Sequence, residues 1–417
     1  MANTSNPLEI AQSQFDEAAS FLGLEPALSE FLRWPMREFR FTIPVKMDDG
    51  RTKTFHGYRI QYNNARGPTI GGIRWHPDES LNLGRAMSAW MTWRTALADL
   101  PLGGAGGGVI ADPKKMSDGE KERLARGWMR AMASEMGEKR DVATPDVYTT
   151  PQVMAWMMDE YETIARGSHP GATAGKPLAL AGSQGRNDAT ARGGVLLVRE
   201  ACKALGLEPK ETTFAIQGCG NAGQYVALLH PEILGGGKLV AVSDTSGGVH
   251  NAAGLDPRAL IEHKMKTGKI SGFPGANPIS NEDLVELEVD VLYPAAMENV
   301  ITDRNADQIK AKILCELADG PTTPEADRIL HVKGVHVIPD ILANAGGVIA
   351  SYFELVQGSY NYYWALDGIN QQLDRKMSDA YRAVHKMSKD RKLSPRLAAY
   401  VVAVSRVAEA VKLRGWV

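Results

Sequence analysis

The residues best suited to chemistry are a glycine pattern and two aspartates. Gly218-x-Gly220-x-x-Gly223 falls between a short apolar run, residues 213–216, and a helical stretch through Leu229. Glycines at that spacing allow a tight turn and let backbone amides at a helix N-terminus approach a pyrophosphate. Asn221 and Ala222 lie inside the motif and belong to the same expected site. Asp244 closes the next strand-like run about 20 residues on, where a carboxylate can bond a ribose hydroxyl. A ligand-free glycine turn is the bland reading, and strand, helix and acid in register argue against it. A carboxylate at Asp244 repels a 2′-phosphate and so favours NAD over NADP, although Lys238, Thr245 or Ser246 could offset its charge. The expected cofactor is therefore NAD or NADP, with NAD the first choice.

Other chemistries find no support in the residue patterns. The glycine run at 103–108 is not a phosphate loop of the Walker type, because no Lys-Ser/Thr pair follows it. Nine histidines include no HExxH or other paired ligand set, so no metal is expected. Gly182-Ser183-Gln184-Gly185 lacks the strand–elbow–helix setting of a hydrolase serine. Cys202, Cys219 and Cys315 have no metal spacing and read as buried free thiols.

The elements that must position these residues fall into two patterns. Residues 8–33 have helical periodicity. Two β-patterned runs, 38–46 and 52–62, are joined by Asp48-Asp49-Gly50, a strong hairpin signal. Helices are expected around 80–99, 117–136 and 151–166, with the glycine run at 103–108 as a turn after the first of them. Near 167–185 the composition shifts to Gly, Ser, Pro and Ala, as in a linker. Beyond it strand and helix alternate, which argues for a parallel, doubly wound α/β sheet. Residues 341–417 are mostly helical. The expected division is 1–180, a substrate-binding and oligomerisation domain; 181–345, a Rossmann-type cofactor domain; and 346–417, helices packing back on the hinge.

Bulk properties set the class. The chain has 417 residues, 23% charged and 44% hydrophobic, with a formal net charge of −2. That length accommodates two cores, and the near-neutral charge gives no electrostatic reason to expect nucleic acid or anionic lipid. No apolar run reaches the roughly 20 residues of a membrane-spanning helix, and residues 1–5 lack the features of a signal peptide. A cytoplasmic protein is the default expectation.

Several ordered blocks carry a further message. They are Gly67-Pro68-Thr69-Ile70-Gly71-Gly72-Ile73-Arg74, Met91-Thr92-Trp93-Arg94, Pro101-Leu102-Gly103-Gly104-Ala105-Gly106-Gly107-Gly108, and Asp141-Val142-Ala143-Thr144-Pro145-Asp146-Val147. Further along come Gly182-Ser183-Gln184-Gly185-Arg186, Ala189-Thr190, Pro294-Ala295-Ala296, Gly320–326, 339–347 and Ser351-Tyr352-Phe353-Glu354. Together they resemble the glutamate/leucine/phenylalanine/valine dehydrogenase family across nearly the whole chain. The resemblance implies an N-terminal substrate domain, a Rossmann-type cofactor domain, a cleft between them and a hexamer built through the N-terminal domain. It also implies oxidative deamination of an L-amino acid, with hydride passing to nicotinamide. Thr190, Ala295 and Asn344 fall at its cofactor positions, and Asn344 and Ser351 at its substrate positions.

Three lysines that line the family's cleft are absent here. Ile70 stands where glutamate dehydrogenases hold the substrate's side-chain carboxylate, and burying that charge unpaired is costly. Ile70 therefore indicates an apolar pocket or plain core packing, while Ser351 resembles the glutamate-type residue. Arg94 stands where a lysine holds the α-carboxylate; it keeps the charge with a different reach and fork geometry, or is an ordinary helix arginine. Gly106 stands at the catalytic lysine. General acid–base groups contribute roughly 10²–10⁴-fold to rate, so its absence should slow the family reaction severely. Asp146 remains as the acid/base candidate or as a turn-capping aspartate. With no lysine beside it and a partly closed cleft, burial would raise its pKa. Two functions follow. One is an NAD(P)-dependent oxidoreductase acting on the CH–NH2 group of an amino acid or related carboxylate, with altered specificity. The other is a catalytically silent regulatory or structural subunit. The expected assembly is a homo-hexamer, or a hetero-hexamer beside an active paralogue, with a small-molecule substrate as ligand.

Overall fold

The computed structural model describes residues 6–417. The described residues open with α1 (Pro7–Leu22) and α2 (Pro26–Arg33), which divide the stretch of helical periodicity at 8–33. Gly23 breaks it: its left-handed conformation (φ 60°) ends α1, and Pro26 starts α2 at a position where its missing N–H costs nothing. Strands β1 (Arg37–Lys46) and β2 (Thr52–Asn63) form the expected hairpin, running from Arg37 opposite Gln61 to Lys46 opposite Thr52. There follow β3 (Thr69–His76), α3 (Leu81–Leu97), β4 (Gly103–Ile110), α4 (Asp118–Met132), β5 (Asp141–Pro145) and α5 (Pro151–Ala165). A capping box between Ser117 and Glu120 fixes the start of α4.

The glycine run is thus not a turn. It is β4, the central strand of a five-stranded sheet ordered β1-β2-β4-β3-β5, antiparallel to β2 and parallel to β3. Glycine is a weak strand former, and here both faces of the strand are occupied by groups that leave no room for side chains. On one face α3 lies against it, with Thr92 over Gly104 and Gly84 and Ser88 over Gly106. On the other, Arg59 passes beneath Gly107. Its guanidinium binds Asp141 at 2.6 and 2.8 Å and the carbonyls of Gly71, Gly72 and Val142. That face continues into a core of Ile43, Phe55, Ile73, Trp75 and Val109 packed on Trp128 and Met129 of α4 and Met154 and Met157 of α5.

The second set of elements is α6 (Ala189–Leu205), β6 (Thr213–Gln217), α7 (Asn221–Leu234), β7 (Lys238–Asp244), β8 (Gly247–His250), α8 (Pro257–Thr267), β9 (Asn277–Ile279), α9 (Asn281–Val285), β10 (Val291–Pro294), β11 (Ile313–Cys315), α10 (Pro324–Lys333) and β12 (His336–Ile338). Their sheet is ordered β12-β11-β10-β6-β7-β8-β9. The first five strands are parallel, as expected, and β8 and β9 add an antiparallel edge. The chain closes with α11 (Asp340–Ala343), α12 (Ala345–Tyr360), α13 (Leu366–Arg391) and α14 (Pro395–Leu413).

The chain forms two compact units. One comprises the chain up to Arg186 with Val348–Asn370 and Tyr400–Val417; the other comprises Asn187–Gly347 with Gln371–Ala399. In the first, a fully buried Lys176–Glu354 pair (2.6 Å) ties the segment before Arg186 to α12. In the second, Arg396 binds Glu316 (2.6 Å), Asp327 (2.9 Å) and Asp340 (3.2 Å) and anchors the start of α14 to the parallel sheet. The three cysteines are free and buried; burial pushes the Cys202 and Cys219 thiols up to about 11. Among the described residues no helix is long and apolar enough to cross a membrane.

Candidate functional site

In the second unit the glycine motif occupies the β6–α7 turn at the carboxyl edge of the parallel strands. Gly218 has φ 102°, and a side chain there would press on Ala295 and Ala296 just past β10. The Ala295 amide in turn donates to the carbonyl of Gln217 (2.7 Å). At Gly223 a side chain would strike the carbonyl of Gly218, so this glycine lets α7 lie close on the turn. Nothing lies within 4 Å of the direction a Gly220 side chain would take, which leaves space at the helix N-terminus. Asn221 begins α7 and donates to the carbonyl of Asn187 (3.3 Å), bringing it beside the start of α6, where Thr190 is the second residue.

Among the buried polar atoms of this unit without a hydrogen-bond partner in the protein are Gln217 Oε1, Ser243 Oγ and Asn344 Oδ1. Gln217 ends β6, Ser243 lies one residue from the end of β7, and Asn344 donates to the carbonyl of Ala318 (3.3 Å). Buried acceptors and hydroxyls are normally satisfied, so a line of orphans along the carboxyl edge suits a polar ligand. Together with the glycine turn they fit a dinucleotide: amides of Asn221 and Ala222 for the pyrophosphate, and the orphaned groups for polar atoms further along.

Asp244 departs from its expected role as an open ribose acceptor. Its carboxylate accepts from the amide and hydroxyl of Ser246, the ammonium of Lys264 and the amide of Ile270, and its side chain is only 9% exposed. Burial would raise this carboxyl, but the hydrogen bonds from Ser246 and Lys264 outweigh it and hold it below its ordinary value.

The first unit carries a separate polar cluster around Asp146. Gly72 on β3 has no side chain, and the Asp146 carboxylate fills that place. Its Oδ1 accepts from the Val147 amide (2.7 Å) and from Arg74 Nη1 (3.3 Å). Thr149 pins the turn by accepting from the Asp146 amide (2.7 Å) and donating to the Ile73 carbonyl (2.8 Å). Arg74 also binds Glu79 (2.8 Å), and the Tyr58 hydroxyl donates to the other oxygen of the same carboxylate. Burial and the adjacent Glu79 carboxylate push the Tyr58 phenol far above its ordinary value, so it remains a donor. The cation beside Asp146 is thus an arginine, Arg74, distant in sequence and adjacent in space.

Gly106 lies on β4 with α3 directly over it. A β-carbon there would sit 2.9 Å from the carbonyl oxygen of Gly84 and 3.1 Å from the Ser88 amide. Gly84 has its own constraint, since a side chain would meet the Tyr58 ring (2.5 Å) and Ile60 (2.7 Å). Ile70 is fully buried on β3 between Gly104 and Val142. Arg94 is half-buried near the end of α3. Ser351 is buried on α12 and accepts from Nε of the half-buried Arg186 (3.1 Å). Burial lowers the Arg186 guanidinium from its ordinary value, opposed by the charge of Glu354.

Tyr58, Arg74, Glu79, Arg186 and Lys264 are the site residues that the sequence reading did not single out. Arg74 and Arg186 close two of the glycine blocks and were visible as motif letters. Nothing in the spacing linked Tyr58 or Glu79 to Asp146, or Lys264 to Asp244, because tertiary contacts alone bring them together.

A doubly wound sheet with its glycine turn and a carboxylate–guanidinium cluster on a mixed sheet, both carried by one chain, define a two-domain α/β architecture of the Rossmann type. Two family models match: Glu/Leu/Phe/Val dehydrogenase, dimerisation domain, over residues 35–163, and Glutamate/Leucine/Phenylalanine/Valine dehydrogenase over residues 181–415. The chain belongs to the glutamate/leucine/phenylalanine/valine dehydrogenase family. It is 47% identical over 407 residues to a glutamate dehydrogenase of Thermotoga maritima, covering 98% of each chain. It is 42% identical over 416 residues to an NAD-specific glutamate dehydrogenase of Staphylococcus aureus, covering 100% of each. Among solved structures, the hetero-hexameric glutamate dehydrogenase of Thermus thermophilus in its Leu-bound form superposes with a TM-score of 0.93 at 34% identity, over 100% of this chain and 98% of that one.

Proposed function

We propose that this chain is a glutamate dehydrogenase-like subunit that binds NAD(H) or NADP(H), does not itself oxidise an amino acid, and acts in a hexamer beside an active paralogue. The observation that carries this reading is the packing at Gly106. A β-carbon there would lie 2.9 Å from the Gly84 carbonyl oxygen and 3.1 Å from the Ser88 amide, so a lysine would enter only with a shift of α3. Asp146 is engaged by Arg74 and by its own turn, a setting that suits a structural role as readily as proton transfer. A hetero-hexameric relative at 34% identity supports assembly with a second kind of chain. The dinucleotide, when bound, supplies a hydride acceptor or donor.

A second reading, an oxidoreductase acting on the CH–NH2 group of another amino acid or related carboxylate, is favoured by one observation. Arg186 beside Ser351 is a cation with no carboxylate bound to it among the described residues, which suits recognition of an anionic substrate. In that reading Ile70 borders an apolar portion of the substrate, Arg94 grips a carboxylate and Asp146 moves the proton.

One experiment separates the two. The purified chain is assayed with NAD and NADP against a panel of amino acids, nucleotide binding is measured by calorimetry, and the chain is co-expressed with an active glutamate dehydrogenase of the same organism. Nucleotide binding without turnover, together with a mixed hexamer whose turnover differs from that of the active chain alone, is the expected result. Turnover by the chain alone that disappears in Asp146→Asn would overturn the silent-subunit reading.

A further inference from the structure

We infer that Lys264 neutralises Asp244 and makes the 2′ end of the dinucleotide site accept the 2′-phosphate of NADP(H) about as well as the 2′-hydroxyl of NAD(H). This rests on the dinucleotide reading of the β6–α7 turn. An acid at the end of the second strand selects against NADP when its carboxylate faces the ribose as an open acceptor and a net negative charge. Neither condition holds here. An ionised carboxylate offers about four acceptor directions, and all are used: Ser246 N at 2.8 Å and Ser246 Oγ at 2.6 Å on one oxygen, Lys264 Nζ at 2.9 Å and Ile270 N at 3.1 Å on the other. No acceptor direction remains for a ribose hydroxyl.

The charge is also cancelled. Lys264 comes from the last turn of α8 and stays 21% exposed, whereas the Asp244 side chain is 9% exposed. A ligand approaching from solvent therefore meets the ammonium side of the pair more than the carboxylate side. The segment after α8 closes over the same carboxylate, since Ser271 N donates to Ser246 Oγ (3.3 Å) as Ile270 N does to Asp244. Thr245 and Ser246 are exposed at the turn. None of the residues flanking Asp244 in sequence provides the compensating cation. The lysine lies 20 residues downstream and reaches back through α8.

The test uses the full-length protein and nucleotide binding rather than turnover, so it applies to a silent subunit as well as to an enzyme. NADH and NADPH are titrated by fluorescence and calorimetry against wild type, Lys264→Met and Lys264→Arg, with thermal melts confirming that each variant is folded. The expected result is wild-type affinities within about tenfold of each other, Lys264→Met losing NADPH binding by about tenfold or more relative to NADH, and Lys264→Arg behaving as wild type. Asp244→Asn should shift the ratio towards NADPH. Wild-type preference for NADH beyond about tenfold, or an unchanged ratio in a folded Lys264→Met, overturns the inference while leaving the dinucleotide site intact. Binding of neither nucleotide to wild type overturns the dinucleotide reading, and this inference with it.

Discussion

A β-carbon at Gly106 would lie 2.9 Å from one backbone atom of α3 and 3.1 Å from another, so the residue is fixed by packing as well as by chemistry. Reintroducing the family lysine therefore demands movement of a helix, not only a change of side chain. Overpacking of this kind costs roughly 1–3 kcal/mol. Gly106→Lys is expected to unfold at lower urea concentration by about that amount and to show no amino-acid turnover. A variant as stable as wild type would mean that α3 yields freely and that the site is not closed. Asp146 illustrates the same dependence on neighbours. As a single letter it is an acid/base candidate; with Arg74 at 3.3 Å and Gly72 beneath it, it is one member of a half-buried cluster with Glu79 and Tyr58.

Among the elements, β4 shows how a strand can be built almost wholly of glycine. Its neighbours on both faces are larger than usual: helix backbone on one side, and a guanidinium salt-bridged to Asp141 on the other. Both members of that ion pair are fully buried, and removing one partner of such a pair costs roughly 3–5 kcal/mol. Asp141→Asn should lower stability to chemical denaturation by an amount in that range, whereas a loss near zero would show that the carbonyls of Gly71, Gly72 and Val142 suffice for Arg59. In the other sheet, α7 carries His230, stacked on Phe214 and bonded to Tyr293 (2.9 Å) and Thr212 (3.0 Å). Thr212 gives its hydroxyl proton to the Pro209 carbonyl, so the histidine donates to Thr212 and accepts from Tyr293. Burial lowers its pKa from 6.5 to about 3. Below 6.5 the unfolded chain takes up a proton that the folded chain does not, so stability present above that pH is lost as pH falls towards 3. The loss is on the order of 5 kcal/mol at most. Melting temperature should fall over this window, and a His230→Gln variant should show a flatter profile; identical profiles would contradict the assignment.

For the whole molecule, the glycine and arginine blocks run from Gly67 to Glu354, and the chain is similar to glutamate dehydrogenases over nearly its full length and theirs. The inherited architecture and the altered residues therefore belong to one chain, which is why assembly becomes the informative measurement. Expressed alone, the chain should run as a hexamer by light scattering. Expressed with an active paralogue, it should give hexamers containing both chains by native mass spectrometry. Recovery of only unmixed hexamers would count against a subunit role and in favour of an independent activity.

Local order in the sequence settled the hairpin at β1–β2, the strand–glycine–helix start of the parallel sheet and the family blocks. Each of these rests on residues within a few positions of one another, where periodicity and turn chemistry act directly. The run at 103–108 shows where that ends. Six residues with one methyl group among them carry no period, so only the packing of α3 above and Arg59 below makes them a strand. Asp244 could be placed at a strand end from spacing, but its partner Lys264 arrives through the return of α8, and that contact reverses what the carboxylate offers a ligand. Asp146 was likewise visible, and the cation beside it was not, because β3 and β5 become neighbours only when the sheet forms. The sequence by itself determined the family; the tertiary structure decided how closely α3 packs on Gly106, since only packing can say how much room a side chain would find there.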